Sequence, residues 1–259
     1  MSKRIKLVAV DLDRTILRSD GTLSPFTVEV FRRLRRCQIA ACVLTARRKD
    51  SAEMICSQLA CRGAAFCNGA VVSADSAVIA VHPLDWQSAK RLLADIEGHP
   101  CSVSCEDGTT YTNYEAQHSI RLDSWAQLPE QSLLRIVLYQ APPPLQSRLT
   151  SASYPGLCLQ QLEDGDIVAV SQLAAKERAL KTLLEHWRIS PEEVVSFGDD
   201  TTDLGFIQLA GTGIAVQNAG EQVKQRADII CGCNDEDGPA VWLNQYVLRP
   251  FHEEIPNFA

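Results

Sequence analysis

The sequence lacks an apolar run long enough to cross a bilayer, which takes about 20 consecutive apolar residues. The first four residues, Met-Ser-Lys-Arg, lead directly into a brief apolar segment. The long apolar region and the cleavage site of a signal peptide are missing. These absences argue against a membrane-spanning or secreted protein. We therefore expect the chain to reside in the cytoplasm and to have no membrane partner.

The chain also lacks a surplus of basic residues. The formal net charge is −7, and residues 83–170 carry 11 acidic and 5 basic side chains, whereas the remainder carries 21 and 20. Nucleic-acid binding depends on basic surface, so this balance argues against a nucleic-acid partner. The basic cluster at residues 32–36 is interpreted as the solvated face of a helix.

No Cys-x-x-Cys pair occurs among the ten cysteines. A disulfide framework is typical of small secreted chains, and this chain of 259 residues is not small. Cys231 with Cys233, and the group His99, Cys101 and Cys105, leave a zinc site as a minor alternative. The other cysteines are mostly predicted to be small core residues.

One stretch does carry a clear chemical signal. The apolar run from Ile5 to Val10 predicts a buried strand, and it ends in Asp11 and Asp13. Residues two apart in an extended chain point to the same side, so the two carboxylates can face one small space. Because crowded carboxylates repel each other, a hard cation such as Mg²⁺ is the expected partner, although an Asp-rich turn is the alternative.

Alternating strands and helices follow this stretch. Buried strands are predicted at 39–44, 64–67 and 194–197, and a small hairpin flap is predicted at 17–23. The pattern predicts an α/β fold with a doubly wound parallel sheet. Residues 83–170 have their own strands and helices, so we predict an inserted α+β domain there and a catalytic core made of 1–82 and 171–259.

Three predicted strand ends carry polar groups that a parallel sheet brings to one edge. Asp11 and Asp13 follow the first strand, Thr45 follows the second and Asp199 follows 194–197, while Lys176 lies at the start of a helix. Taken singly, the threonine could cap a strand, the lysine could be solvated and residues 198–200 could form a turn. Together, carboxylates, a hydroxyl and an ammonium group match the needs of phosphoryl transfer.

At this point the sequence resembles the haloacid dehalogenase (HAD) superfamily. Asp-Leu-Asp-Arg-Thr at 11–15 resembles motif I, Val-Leu-Thr at 43–45 motif II, Lys176 motif III, and Gly-Asp-Asp-Thr-Thr-Asp at 198–203 motif IV. Residues 68–70, 189–194, 217–219 and 234–238 resemble the Cof-type subgroup, subfamily IIB. The resemblance implies a HAD-like Rossmannoid core with a C2B-type cap between motifs II and III, where 83–170 lies.

The resemblance also implies roles for individual residues. Asp11 is the expected nucleophile, and Asp13 the expected general acid and base. The expected phosphate-binding and substrate-bordering residues are Thr45, Lys176, Arg47 and Asn218. The expected Mg²⁺ site comprises Asp11, the backbone carbonyl of Asp13, Asp199 and Asp203, the last acting through water or a hydrogen bond.

Three residues depart from the family pattern. Arg14 stands where glycine is common, Ala46 replaces the glycine usual after the motif II threonine, and Thr202 replaces the asparagine usual before the last motif IV aspartate. None of them removes a primary catalytic group. Arg14 could nevertheless alter entry to the site, and Thr202 could alter the details of the metal shell.

We therefore predict a cytoplasmic Mg²⁺-dependent phosphatase that acts on a small phosphorylated metabolite, such as a sugar phosphate, through an aspartyl-phosphate. The alternatives are a phosphomutase or phosphotransferase with the same intermediate, or an inactive binding module. A receiver-type signalling domain also combines Asp, Thr and Lys at strand ends, but its phospho-acceptor follows the third strand. A monomer and a homodimer are both compatible with the sequence.

Overall fold

The computed structural model describes residues 4–162 and 165–249. Its strands are β1 (Leu7–Val10), β2 (Ala40–Leu44), β3 (Gly63–Phe66), β4 (Val71–Ala74), β5 (Ala77–Val81), β6 (Cys101–Cys105), β7 (Thr110–Thr112), β8 (Ile120–Arg121), β9 (Leu133–Leu138), β10 (Leu157–Gln161), β11 (Ile167–Ser171), β12 (Val194–Gly198), β13 (Thr212–Ala215) and β14 (Ile229–Ile230). Its α-helices are α1 (Pro25–Arg36), α2 (Lys49–Gln58), α3 (Trp86–Asp95), α4 (Pro143–Gln146), α5 (Lys176–Trp187), α6 (Leu204–Leu209), α7 (Glu221–Lys224) and α8 (Gly238–Leu243).

The chain divides into two compact units. One combines Met1–Ala80 with Ala175–Ala259, and the other is the continuous segment Val81–Ala174. The second unit is thus inserted into the first. The sequence analysis predicts an inserted domain at 83–170, and the second unit spans Val81–Ala174.

The first unit is built on an eight-stranded sheet in the order β14-β13-β12-β1-β2-β3-β4-β5. The six strands from β14 to β3 run parallel, whereas β4 pairs with β3 antiparallel. From β1 the chain first builds outward through β2 and β3, and after the insertion it returns on the other side of β1 through β12. This reversal makes the carboxyl ends of β1 and β12 the point where such sheets place their ligands.

Both faces of the sheet are covered. Every residue of β1 and β12 is buried, and successive side chains of a strand point to opposite faces. Helix α1 packs on β2 and α8, while α5 packs on β2, β3 and β4 and on α6. Helix α1 begins where Ser24 accepts a hydrogen bond from the Thr27 amide and Pro25 occupies the first turn.

One local prediction in this unit is wrong. Residues 17–23 form a turn closed by hydrogen bonds between Arg18 and Thr22 and between Gly21 and Arg18, without strand pairing, so the predicted hairpin flap is absent. Helix α8 ends at Leu243, and wider helical turns continue from Asn244 to Leu248.

The inserted unit is an α+β structure around a six-stranded sheet in the order β10-β11-β9-β6-β7-β8. Its central pairs are antiparallel, and only the short pair β7–β8 is parallel. Helix α3, capped by Asp85, and the sheet enclose a separate core that includes Leu92, Val103, Ile136 and Ala169. Among the described residues, the helices are all too short or too polar to cross a membrane.

Candidate active site

Three buried carboxylates meet one buried lysine at the carboxyl ends of β1 and β12. Lys176 Nζ lies 2.6 Å from Asp11 Oδ1 and 2.6 Å from Asp203 Oδ1. Each of Asp11, Asp199 and Asp203 offers one carboxylate oxygen to a group whose members all lie within 4.8 Å of one another. The structure therefore brings together four residues that the sequence assigned to one site.

The charge balance of this cluster is negative, because one ammonium group faces three carboxylates. Burial is the main reason that the pKa of Asp11 is raised to about 8 and that of Asp199 to about 6, although Lys176 acts in the opposite direction on both. Burial alone would lower the pKa of Lys176, but the charges of Asp11 and Asp203 outweigh it and raise that pKa. A further cation is thus electrostatically favoured here.

Asp203 is fixed by the turn that follows β12. Its Oδ2 accepts hydrogen bonds from the amides of Asp199 at 3.0 Å and Asp200 at 3.1 Å. A Cβ atom on Gly198 would lie 2.6 Å from the Asp203 Cβ, so only glycine allows this close approach. The spacing between Gly198 and Asp203 in motif IV is therefore explained by this turn, which places the Asp203 carboxylate against the end of β12.

Thr45 lies one residue beyond β2 and is fully buried. Its backbone amide donates to the Ala65 carbonyl, its carbonyl accepts from the Asn68 amide, and its hydroxyl oxygen accepts from the Arg47 amide at 3.1 Å. These bonds fix the threonine at the same sheet edge as Asp11, since β1 and β2 are parallel neighbours.

Asp13 is separated from the buried cluster and pairs with Arg47. Arg47 Nε donates to Asp13 Oδ2 at 2.8 Å, and Nη2 donates to Oδ1 at 2.5 Å. The side chain of Asp13 is 53% exposed, whereas that of Asp11 is 7% exposed. The two motif I carboxylates thus occupy different environments, as expected if they have different roles.

The cluster fits a hard divalent cation. Carboxylate oxygens are the ligands that Mg²⁺ prefers, and three of them converge here from β1 and from the turn after β12. The excess negative charge and the raised pKa values of Asp11 and Asp199 are the properties expected of ligands of a divalent cation.

The chain matches the haloacid dehalogenase-like hydrolase family over residues 8–137 and 155–243. It belongs to that family. The match covers both segments of the first unit and most of the inserted unit, and it includes all the predicted site residues. The protein is therefore an enzyme, a HAD-type phosphoric monoester hydrolase.

Individual relatives span the whole of this hydrolase. Pyridoxal phosphate phosphatase YbhA of Escherichia coli is 26% identical over 94% of this chain and 99% of its own length. The 5-amino-6-(5-phospho-D-ribitylamino)uracil phosphatase YitU of Bacillus subtilis is 26% identical over 95% and 99%. A haloacid dehalogenase-like hydrolase from Bacteroides thetaiotaomicron has the same fold, with a TM-score of 0.85 at 20% identity over 93% and 99% of the two chains.

The turn after β1 explains an unusual residue of this hydrolase. Arg14 has φ 58° and ψ 6°, a left-handed conformation that glycine adopts at little cost. Its carbonyl accepts a hydrogen bond from Asn218 Nδ2 at 2.7 Å, and its Nε lies 4.0 Å from Asp199 Oδ2. The glycine common at this position in the family is thus accounted for by backbone geometry. Asn218 holds the turn through this bond.

Sequence reasoning did not assign a role to Thr15 or to the segment 234–237. Thr15 is fully buried, and its hydroxyl donates to Asp199 Oδ1 at 2.8 Å, which joins motif I to motif IV. Asn234 Nδ2 donates to the Leu17 carbonyl at 3.0 Å. Asp237 accepts two bonds from Arg18, at 3.2 and 2.9 Å. The polar residues at 234–238 could have indicated that this segment makes side-chain contacts. The sequence does not show that Leu17 and Arg18 are the partners.

Proposed function

We propose that this hydrolase is a Mg²⁺-dependent phosphatase that cleaves a small phosphorylated metabolite through an aspartyl-phosphate. The observation that carries the proposal is the buried contact of Asp11 with Lys176, at 2.6 Å, inside a cluster of three carboxylates. A carboxylate held beside a fixed ammonium group and a cation site is placed to attack a phosphoryl group whose charge needs stabilisation.

In the proposed first step, an oxygen of Asp11 forms a bond to phosphorus while the bond from phosphorus to the ester oxygen breaks. Asp13 donates a proton to the departing oxygen, which leaves as an alcohol. In the second step, Asp13 takes a proton from water, and the water oxygen attacks phosphorus and releases Asp11. The exposure of Asp13, in contrast to the burial of Asp11, supports its exchange of protons with water and leaving group.

The remaining residues are proposed to bind the phosphoryl group and the substrate. Lys176 and the hydroxyl of Thr45 would neutralise and orient phosphoryl oxygens, a role supported by their burial at the same sheet edge as Asp11. Arg47 orients the carboxylate of Asp13 through two hydrogen bonds. Arg47 and Asn218 are proposed to border the substrate.

Mg²⁺, when bound, would neutralise the charge that develops on the phosphoryl oxygens and align the group with its nucleophile. We propose that Asp11, Asp199 and the backbone carbonyl of Asp13 hold it. Asp203 would support it indirectly, since both of its carboxylate oxygens are already engaged, one by Lys176 and the other by backbone amides.

The substrate class is also a proposal. YbhA and YitU are named for two chemically different phosphate monoesters, so relatives of this chain share the reaction rather than one substrate. We further propose that Val81–Ala174 is the substrate-selecting cap, which its position in the chain between Thr45 and Lys176 supports. A cytoplasmic location is supported by the ten cysteines, all within the described ranges, none of which forms a disulfide bond.

The test is phosphate release from a panel of phosphorylated metabolites and from p-nitrophenyl phosphate, with Mg²⁺ and with excess chelator. We expect release only with Mg²⁺, and none from Asp11→Asn, whose side chain is isosteric but a poor nucleophile. Asp235→Asn serves as the control, because this carboxylate is exposed and accepts hydrogen bonds from Ser19. Full activity in chelator, or in Asp11→Asn, would contradict the mechanism.

A further inference from the structure

Two cysteines meet where α2 ends, on the side of the first unit from which β3 starts. The amide of Cys61 donates to the carbonyl of Cys56 at 2.9 Å, and the amide of Ala60 donates to the carbonyl of Ser57 at 3.0 Å. Ala60 has φ 50°, in the left-handed region. This pair of hydrogen bonds around a left-handed residue is the Schellman motif, which brings the side chains on either side of the helix end into contact.

In this motif the two side chains that meet are thiols. The Cys56 and Cys61 side chains flank this helix end, and the interaction between the two thiols is the main reason that the pKa of Cys56 is lowered and that of Cys61 is raised well above its usual value. The burial of Cys61 adds to its rise, and Glu53 opposes the change at Cys56. The interaction thus makes ionisation easier for Cys56 and harder for Cys61.

The pair is accessible. Cys56 and Cys61 are both partly buried, and both line a surface cavity of about 460 Å³, together with Lys49 and Arg62. Cys42, the next thiol of this region, is fully buried, and its burial raises its pKa. A small oxidant can therefore reach Cys56 in a cavity that a second thiol, Cys61, also lines.

We propose that Cys56 and Cys61 form a peroxide-sensitive thiol pair that closes reversibly to a disulfide. Reactive cysteines of this kind combine thiolate character, exposure and an adjacent resolving thiol, and all three properties are present here. The proposal does not depend on the phosphatase chemistry, because the pair lies outside the carboxylate cluster. Disulfides in a reducing compartment are typically transient and sensory rather than structural.

The chemistry balances with hydrogen peroxide as the oxidant. The Cys56 thiolate attacks one peroxide oxygen, an S–O bond forms, the O–O bond breaks, and hydroxide leaves and takes up a proton. The sulfur of Cys61 gives up its proton and attacks the sulfur of Cys56, an S–S bond forms, and the S–O bond breaks with release of water. Two thiols and one peroxide thus yield one disulfide and two waters.

The sequence makes the product easy to detect. Trypsin cuts after Lys49 and Arg62, so both cysteines lie in the single peptide 50–62. The reduced full-length protein is treated with hydrogen peroxide, alkylated, digested and examined by mass spectrometry. We expect this peptide to lose about 2 Da and to carry no alkyl group, and dithiothreitol to restore both thiols. Met54 in the same peptide would instead gain about 16 Da that dithiothreitol does not remove.

Variants separate the two roles. In Cys61→Ser, Cys56 should gain about 16 Da and be trapped by dimedone as a sulfenic acid, whereas in Cys56→Ser, Cys61 should stay alkylatable. Cys37→Ser, which changes another partly buried thiol at the end of α1, should behave as the parent protein. Two results would overturn the proposal: peptide 50–62 stays reduced while other cysteines oxidise, or Cys56 forms a disulfide with a different cysteine. Both results can be obtained with the unmodified protein, so the test does not depend on whether the variants fold.

Discussion

Arg47 holds Asp13 by two parallel hydrogen bonds, Nε to Oδ2 at 2.8 Å and Nη2 to Oδ1 at 2.5 Å. The residue that the sequence assigned to the border of the substrate therefore contacts the expected general acid directly. A bidentate guanidinium fixes both the position and the plane of a carboxylate. Proton transfer to a leaving group depends on this geometry.

We expect Arg47→Ala to reduce kcat/KM about 10²-fold, because Asp13 loses its fixed orientation and small misplacements of reacting groups have effects of this size. The measurement is steady-state phosphate release from p-nitrophenyl phosphate. Arg48→Ala is the matched control, since Arg48 pairs with Asp50 instead. Equal losses in the two variants would indicate a general charge effect and contradict a specific role for Arg47.

Replacement of Lys176 by methionine should lower both activity and stability. Lys176 is 4% exposed and holds Asp11 and Asp203, so its removal leaves buried carboxylates without their ammonium partner. Breaking a buried charge cluster in this way costs about 3–5 kcal/mol. Urea unfolding at neutral pH measures the loss, and Mg²⁺ should recover part of it by neutralising the same carboxylates. An unchanged unfolding midpoint would contradict the buried contact.

The sequence was informative about the elements that present the site, for a physical reason. Buried parallel strands are continuous apolar runs, and a polar residue at the end of such a run marks the sheet edge where ligands bind. Asp11, Thr45 and Asp199 could be placed at one edge on this ground alone. The alternation of strands and helices likewise predicted an α/β core with a parallel sheet, and its interruption was the basis for predicting an inserted domain.

Side-chain pairing was not readable in the same way. The contact of Thr15 with Asp199 joins residues that are 184 positions apart, and that of Arg18 with Asp237 joins residues 219 apart. Such partners are chosen by the rotamers and loop paths of the folded chain, which have no periodic trace in the sequence. The left-handed conformation of Arg14 could not be predicted for a different reason. Glycine is the residue that usually indicates a left-handed position, and this position holds an arginine.

Divalent cations should raise the melting temperature through the carboxylate cluster. A ligand that binds only the folded state adds about 2.7 kcal/mol at a concentration 100 times its Kd. We expect Mg²⁺ to stabilise the unmodified protein and to have little effect on Asp199→Asn, which removes a charged oxygen ligand. Asp200→Asn, at the neighbouring exposed position, should respond as the parent protein does. A Mg²⁺ response retained in Asp199→Asn would contradict this assignment of the ligand.

The network around Asp75 should make stability fall at acidic pH. Asp75 accepts a hydrogen bond from Arg62 at 2.8 Å and one from Trp187 at 3.0 Å, and the Arg62 bond is the main reason that its pKa is lowered. Because the pKa is lower in the folded state, this contribution is present above the unfolded pKa of about 3.9 and is lost as pH falls through the folded value.

Asp75→Asn is therefore expected to be less stable than the parent protein at pH 6, with the difference shrinking as the pH falls below the unfolded pKa of about 3.9. Urea unfolding across this range measures it. Asp50→Asn is the control, since this exposed residue pairs only locally with Arg48. A difference that stays constant with pH would show that the carboxylate charge of Asp75 does not contribute.

Arg14→Gly should be more stable than Arg14→Ala, which reverses the usual order for these two substitutions. The left-handed conformation that Arg14 adopts destabilises the folded state by roughly 1–2 kcal/mol for a residue with a Cβ atom. This strain is the same for alanine as for arginine. Glycine escapes this strain but loses about 0.5–1 kcal/mol through the greater freedom of its unfolded chain. The free energy of unfolding, measured with urea, should therefore be about 1 kcal/mol higher for Arg14→Gly than for Arg14→Ala. If alanine proves equal or better, the turn after β1 is not held in the left-handed conformation in solution.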